Sequence, residues 1–182
     1  MIYYVTGSRH KFESAKPRLE NHGIKISQKK LRIKEIQSDS IKEIAIDKAR
    51  KAFAILNEPL FVNDSGWHFA ALNGFPGAFM AYVNKWLTAE DLISLMKGKR
   101  NREVMLKQIV VYIDKNRIKV FERDIFGKVL NKPSKVSGRP GEMVTSFSDR
   151  RTSEAELRAR GIAAFENEAD LWHKLAMFIK KH

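Results

Sequence analysis

The alternation of apolar and polar positions changes period several times along the chain, and each change predicts a new element. Residues 2–5 form a β-branched and aromatic run that is typical of a strand. Helical spacing follows over 11–22, and Gly23 supplies a stop signal after it. A second strand is predicted over 24–33, and a longer helix over 41–56. The N-terminal third therefore alternates between strand and helix.

The remainder of the chain predicts more strands and helices around one long loop. A helix that ends near residue 96 precedes a strand over 104–114, and residues 117–122 pair with that strand as a hairpin. The run 125–130 extends the sheet. Residues 132–145, KPSKVSGRPGEMVT, hold two prolines and two glycines and are predicted to form a long loop. Loops of this length are often lids or binding loops.

Two helices begin with the pattern of a capping box, in which a serine is followed three residues later by a glutamate. Ser40 and Glu43 open the second helix in this way. Ser153 and Glu156 open a short helix near the C-terminus. A last helix with one apolar face is predicted over 167–180.

The stretch 61–83, FVNDSGWHFAALNGFPGAFMAYV, is the segment around which the rest of the chain is organised. Its first two residues are apolar and predict the end of a buried strand. The polar run 63–66, NDSG, then breaks that strand and presents Asp64 at its tip, as an acid facing a cleft would be presented. The alternative is an ordinary surface turn, because Asn, Asp, Ser and Gly are turn residues.

Composition narrows the class of protein. The chain has 182 residues, of which 43% are hydrophobic, and this is sufficient for one domain with a real core. It contains no cysteine, which excludes disulfides, thiolate zinc sites and cysteine nucleophiles. No apolar run reaches the length of a membrane span, and the first residues lack the pattern of a signal peptide. We therefore expect a cytoplasmic protein without a membrane partner.

The charge of the chain favours an anionic partner. The net charge is +13, from 34 Lys and Arg against 21 Asp and Glu. The basic residues are spread along the chain, with one basic loop over 97–102, and no zinc-finger spacing, RNA-recognition signature or basic zipper is present. A nucleic acid, a nucleotide or a phosphorylated metabolite would suit this charge. The alternative is a solvated basic surface.

Candidate chemistry lies where predicted strands end. Thr6-Gly7-Ser8 joins the first strand to the first helix, so backbone N–H groups and the positive end of the helix dipole suit a phosphate, with Lys11 in the first helical turn. This is not a Walker loop, because its glycines and spacing are missing. Glu35 precedes the second helix, and Asp64 follows an apolar strand. In an open α/β sheet these groups can converge, and two carboxylates beside phosphate donors would suit Mg²⁺.

Four segments that occur in one order give the chain a family resemblance. They are VTGSRHKFESAK near the N-terminus, EIQSDSIKEIAIDKARKAF, the 61–83 stretch, and RNREVMLKQIVVYID. With these segments the chain resembles the inosine-triphosphate pyrophosphatase family, whose members hydrolyse non-standard purine nucleoside triphosphates to monophosphate and pyrophosphate. The resemblance is nearest to the archaeal-style members. It is clear from residue 1 to about residue 130 and weaker beyond.

The resemblance implies a role for each matching position. Glu35 matches a magnesium ligand, and Asp64 matches the acid that binds the metal or activates water. The implied contacts with substrate phosphate are Thr6, Gly7, Ser8, Lys11, Ser65, Gly66 and, in a looser alignment, Lys85. Arg160 falls at the arginine of a Ser-His-Arg motif that touches the purine.

The sequence also departs from the family pattern. Ser8 replaces an asparagine, and Asn63 replaces an acid beside Asp64. GRPGEMVTSF at 138–147 stands where the family has its base-reading segment, and Arg158-Ala159 stands where Ser and His are expected. Two alternatives stay open. One is the same chemistry with a changed nucleotide specificity, and the other is a nucleotide- or nucleic-acid-binding protein with weak catalysis.

The resemblance further implies a fold and an assembly. We expect an α/β protein of two-lobed shape with a long central mixed sheet and a cleft between lobes, formed by a single domain over 1–182. We expect Mg²⁺ as the cofactor, a nucleoside triphosphate as the substrate, and a homodimer.

Overall fold

The computed structural model describes residues 1–162 and 171–181. The elements of the first half are β1 (Ile2–Val5), α1 (Arg9–Glu20), β2 (Ile26–Lys29), α2 (Ile41–Leu56), β3 (Leu60–Phe69), a 3₁₀ turn (Ala70–Leu72), β4 (Pro76–Gly77), α3 (Met80–Trp86) and α4 (Ala89–Leu95). The second half contains β5 (Glu103–Ile113), β6 (Ile118–Val129), α5 (Pro140–Val144), β7 (Thr145–Ser146), α6 (Glu154–Ala159) and α7 (Leu171–Lys181). The predicted start of the last helix, 167–170, lies outside the described residues.

The described strands form one mixed sheet. Their order is β2-β1-β3-β5-β6-β7, with β4 paired to β3. Strand β1 runs parallel to β2 and to β3, whereas the β3–β4 and β6–β7 pairs are antiparallel. Parallel neighbours need long crossover connections, and the helices α1 and α2 lie in them. The predicted α/β class with a mixed sheet is confirmed.

The chain divides into two compact units. The first contains Met1–Asp64, Gln108–Arg123 and the segment that carries α7. The second contains Ser65–Lys107 and the segment from Asp124 through α6. The single domain expected over 1–182 stays a prediction. No helix within 1–162 or 171–181 has the length and apolar character of a membrane span.

The core of the first unit is built on aromatic rings from two parallel strands. Tyr4 of β1 and Phe61 of β3 are fully buried and stack with ring centroids 4.4 Å apart. Leu19 of α1 and Leu175 of α7 are also fully buried and belong to this cluster, and Trp172 meets both rings edge-on. Burying an aromatic or aliphatic side chain of this size contributes roughly 1.5–3 kcal/mol, so this cluster fixes β1 beside β3.

The core of the second unit is aliphatic and closes around one glycine. Its buried members include Phe69, Leu92 and Val129. Gly141, at the second position of α5, packs so closely that an added Cβ would overlap the side chains of Met80 and Trp67. A side chain at this position would therefore push α5 away from its neighbours.

The central polar run is not a turn. Residues 63–66 lie inside β3, which continues without a break from Leu60 to Phe69. The expectation that Asp64 stands at a strand tip is therefore wrong, and Asp64 occupies the middle of a long strand. Ladder hydrogen bonds and the buried residues on both sides of the run outweigh its turn propensity.

Two other local expectations also differ from the structure. The Ser40 cap forms through the Glu43 N–H, but the Glu43 carboxylate accepts from Ser38 instead of returning to Ser40, so the box is half formed. The box of Ser153 and Glu156 is complete. The segment 132–145 contains α5 and the start of β7 and is not one long loop.

Candidate active site

The loop after β1 is held by its own side chains. The Thr6 hydroxyl accepts a hydrogen bond from the Ser8 N–H at 3.1 Å. The Ser8 hydroxyl accepts from the Lys11 N–H at 3.2 Å and caps α1. Gly7 is exposed, and a Cβ there would meet no atom within 4 Å. The predicted phosphate loop is thus a short, open strand-to-helix junction, with Thr6 buried and Gly7 at its surface.

Lys11 ties this junction to β3. Its Nζ donates to the carbonyl oxygen of Asn63 at 3.1 Å. Asn63 immediately precedes Asp64 in β3, so the ammonium group lies one residue from the candidate catalytic acid. The sequence predicted Lys11 as a phosphate contact, and the structure places its positive charge beside the acid-bearing segment.

Glu35 and Asp64 share one lysine. The Lys48 Nζ lies 2.7 Å from Glu35 Oε1 and 3.3 Å from Asp64 Oδ2. The two carboxylate oxygens are therefore no farther apart than the sum of these distances, about 6 Å. The Glu35 side chain is half exposed, whereas those of Asp64 and Lys48 are about one-fifth exposed. We call Glu35, Lys48 and Asp64 the acid–lysine cluster.

Lys48 is the residue that sequence reasoning missed. It lies on α2, three residues after Ala45 and one before Ala49, both fully buried. A lysine that borders the apolar stripe of a helix is directed toward the packed side, and this position was the available signal. Its charge on α2 links the loop before that helix to the middle of β3.

The electrostatics of the cluster keep Lys48 charged. Burial lowers the pKa of Lys48, but the charge of Asp64 and the hydrogen bond and charge of Glu35 outweigh it, so the pKa is raised. The charge of Asp64 also acts on the phenol of Tyr4. Burial first and the charge of Asp64 second raise the pKa of the Tyr4 phenol above its ordinary value, so the phenol stays neutral.

The donor set of the cluster suits a hard divalent cation. No group of three or more metal-ligating side chains occurs among the described residues. Magnesium needs only one or two protein carboxylates, because water and substrate phosphates complete its shell. In the structure an ammonium cation already lies between the Glu35 and Asp64 oxygens. Those oxygens therefore form a cation-binding pair that fits a divalent ion together with a phosphate chain.

Asn63 has a structural partner of its own. It is buried, and its side-chain amide donates to the carbonyl oxygen of Ile109 in β5 at 3.3 Å. A carboxylate at this position would face that carbonyl oxygen without a proton to donate. The departure from the family acid thus supplies a hydrogen bond to the neighbouring strand.

The other predicted contacts belong to the second unit. Ser65 and Gly66 follow Asp64 in β3. Lys85 lies in α3 with its Nζ 5.9 Å from the ring centroid of Trp86. Arg160 is the exposed C-terminal cap of α6. Their roles toward substrate stay predictions.

The segment that replaces the base-reading motif contains a buried ion cluster. Glu142 of α5 is 4% exposed and pairs with both Arg139 and Arg158. Burial raises the pKa of the nearby Glu154 to about 7, although the Phe147 N–H donates to it. Arg158, which stands where the family has a serine, is therefore engaged with Glu142.

Fold and site together define an α/β protein with a cation-binding acid pair beside an open strand-to-helix junction. A model of the Ham1 family matches residues 2–166, and the chain belongs to this family. The membership predicted from the sequence segments is confirmed.

Relatives that are named dITP/XTP pyrophosphatases are similar over most of their length. A dITP/XTP pyrophosphatase of Methanopyrus kandleri is 35% identical over 133 residues, which cover 72% of this chain and 71% of the relative. One of Korarchaeum cryptofilum is 28% identical over 173 residues, covering 86% and 94%. The fold matches a HAM1 protein from Coxiella burnetii with a TM-score of 0.82 at 18% identity, covering 100% of this chain and 98% of the other.

Proposed function

We propose that this protein is a nucleoside triphosphate pyrophosphatase that depends on a divalent cation, Mg²⁺ in the cell. Its substrate is a non-standard purine nucleoside triphosphate, and its products are the monophosphate and pyrophosphate. The observation that carries the proposal is the acid–lysine cluster, in which Glu35 and Asp64 both contact the ammonium group of Lys48. The relatives named dITP/XTP pyrophosphatases support the reaction and the substrate class.

In this proposal the positively charged groups bind phosphate and the carboxylates bind the metal ion. The open junction over 6–8 and the ammonium of Lys11 bind the phosphate chain. Glu35 and Asp64 hold the cation, which when bound would neutralise phosphate charge and prepare water for attack. Asp64 accepts the proton of the attacking water. The water oxygen bonds to the α-phosphorus, the bond from that phosphorus to the oxygen bridging to the β-phosphate breaks, and the monophosphate and pyrophosphate are released.

Lys48 has two partners available in this scheme. In the structure it neutralises the acid pair. If a divalent cation took its place between these carboxylates, the ammonium would be free to pair with the negative charge of the phosphate chain. We therefore add Lys48 to the substrate-binding residues.

The decisive experiment is Asp64→Asn, assayed for pyrophosphate release from dITP and XTP with and without Mg²⁺. Losing a general base or metal ligand costs about 10²–10⁴-fold in turnover, and the folded state should persist because the change is isosteric. Asp39→Asn is the matched control, since it makes the same change at an exposed carboxylate outside the cluster. Turnover within tenfold of wild type in Asp64→Asn would remove the mechanism.

The nucleobase preference follows from the second unit. The ion cluster of Glu142, Arg139 and Arg158 stands where the family has its base-reading residues, so we propose that this cluster sets the preference among the non-standard purine bases. A panel of standard, deaminated and modified triphosphates, each measured as kcat/KM, ranks the bases. If no triphosphate releases pyrophosphate, the alternative of a binding protein with weak catalysis is the correct one.

A homodimer is part of the proposal. Helix α3 exposes Tyr82 and Trp86, with ring centroids 5.1 Å apart, and Phe79 precedes it. Exposed aromatic groups of this kind are typical of subunit contacts. Light scattering on the wild type and on Tyr82→Ser/Trp86→Ser tests this surface. A monomeric mass for the wild type would exclude the dimer, and a dimeric mass for the double variant would exclude this surface as its interface.

A further inference from the structure

A basic pocket lies on the second unit and has no role in the proposed reaction. It has a volume of about 490 Å³, which is within the range of small-ligand sites. It is lined by Ile93, Ser94, Met96, Lys97, Gly98, Lys99, Arg100, Arg102 and Asn131. We call this the basic pocket. None of its lining residues belongs to the acid–lysine cluster.

One cation of the basic pocket is structural. The Arg102 Nε donates to the carbonyl of Val129 at 3.2 Å, and its Nη1 donates to that of Met96 at 3.3 Å. Its Nη2 donates to the carbonyl of Leu130. Arg102 therefore fastens the end of α4 to the end of β6 and covers backbone oxygens that would otherwise repel an anion.

The other three cations are available to a ligand. Lys97, Lys99 and Arg100 are exposed, and none forms an ion pair or a side-chain hydrogen bond with a residue in 1–162 or 171–181. None of the described residues that line the pocket carries a carboxylate. Three like charges within four residues repel one another, and this repulsion is relieved when an anion binds.

The nearest acids along the chain are already engaged. Glu103 pairs with Arg150. Asp91 accepts from the Thr88 N–H at the other end of α4. Glu103 is neutralised by Arg150, and Asp91 caps the opposite end of α4, so neither carboxylate is paired with the cations of the pocket.

The ligand chemistry follows from the donors. Ammonium and guanidinium groups with an amide and no acid match phosphate oxygens. Three unpaired cations in a row match several linked phosphates better than one. We propose that the basic pocket is a second anion site, which binds adjacent phosphates of a linear polyanion, either a nucleic-acid backbone or a free polyphosphate chain.

The test compares two triple variants with the wild type. Lys97→Gln/Lys99→Gln/Arg100→Gln removes the available cations. Lys25→Gln/Lys115→Gln/Lys119→Gln is the control, because it removes three exposed lysines from the first unit. Both variants lower the net charge from +13 to +10. All six positions are exposed, and matching thermal unfolding curves establish that both variants are folded.

The first arm measures fluorescence anisotropy of a labelled single strand of roughly 20 nucleotides in EDTA at several salt concentrations. Each lost phosphate contact lowers the slope of log K against log salt by about 0.7, so the pocket variant should lose about 2. The second arm measures tripolyphosphate by calorimetry, where the pocket variant should show one binding event fewer than the wild type and the control. The first result identifies a nucleic-acid source, and the second a free polyphosphate source.

Pyrophosphate release from dITP is measured in parallel and should be unchanged in the pocket variant. This readout separates the second anion site from the proposed reaction, since each can fail while the other holds. If the pocket variant and the control give the same salt slope and the same number of tripolyphosphate sites, the inference is overturned.

Discussion

Replacing Lys48 by glutamine should change metal binding and catalysis in opposite directions. In the structure Lys48 neutralises part of the charge of Glu35 and Asp64. A divalent cation held by both carboxylates must first displace this ammonium. Lys48→Gln removes the competitor, so the nucleotide-free protein should bind the cation more tightly. Because the variant also lacks a positive charge for the phosphate chain, it should hydrolyse its substrate more slowly.

The size of the metal effect follows from the two ion pairs that must break. The pair with half-exposed Glu35 is worth roughly 0.5 kcal/mol, as exposed pairs are. The pair with the less exposed Asp64 is worth about twice that. Together they amount to about 1.5 kcal/mol, which corresponds to roughly tenfold tighter binding. Turnover should fall by about 10²-fold, the lower end of the loss that follows removal of one preorganised donor to a transition state.

Electron paramagnetic resonance of Mn²⁺ measures the affinity without nucleotide, and pyrophosphate release measures turnover. Lys42→Gln is the control, because Lys42 lies near the start of α2 and pairs with Glu122 at 2.7 Å. It removes the same charge from the same helix without touching the cluster. Equal Mn²⁺ affinity in the two variants would refute the displacement argument, and unchanged turnover in Lys48→Gln would remove Lys48 from the substrate-binding residues.

Two further substitutions test the second unit. Gly141→Ala should lower the free energy of unfolding in urea by about 1–3 kcal/mol, because its Cβ would overlap Met80 and Trp67. The control is Gly7→Ala, which has open space around its Cβ and should change this free energy by less than about 0.5 kcal/mol. Equal losses in the two variants would contradict the close packing around Gly141. The pKa of Glu154, raised by burial from 4.5 to about 7, gives stability that is present below pH 4.5 and lost as pH rises through 7. Glu154→Gln should therefore gain stability relative to wild type between pH 5 and pH 8 in urea titrations, and a constant difference over that range would contradict this.

Local patterns predicted the elements well where periodicity and caps agree. Strand β1 was predicted at its observed bounds, and α2 begins directly after its predicted cap, Ser40. The polar run 63–66 was wrongly predicted to end the strand, because turn propensity takes no account of pairing with neighbouring strands. The prolines of the 132–145 segment suggested a loop, although Pro140 stands at a helix start, where proline is favoured.

The candidate site was predicted in its acids but not in its counter-charge. Glu35 and Asp64 were named from the residue types and the family resemblance, and the structure brings both to one ammonium. Lys48 escaped notice because lysines are common on helices, and only the packing of α2 directs this one to the acids. The pairing of Arg158 with Glu142 likewise joins residues far apart in sequence, which no local pattern shows.

The Lys48 ammonium between Glu35 and Asp64 also affects the stability of the fold when no metal ion is bound. Two carboxylates that faced each other alone would strain the fold until an ion arrived, and chelators would then loosen it. The Lys48 ammonium offsets this repulsion, so we expect the fold not to depend on a bound ion. An ion would then bind most readily when it arrives already coordinated to a phosphate chain, whose negative charge attracts the displaced ammonium.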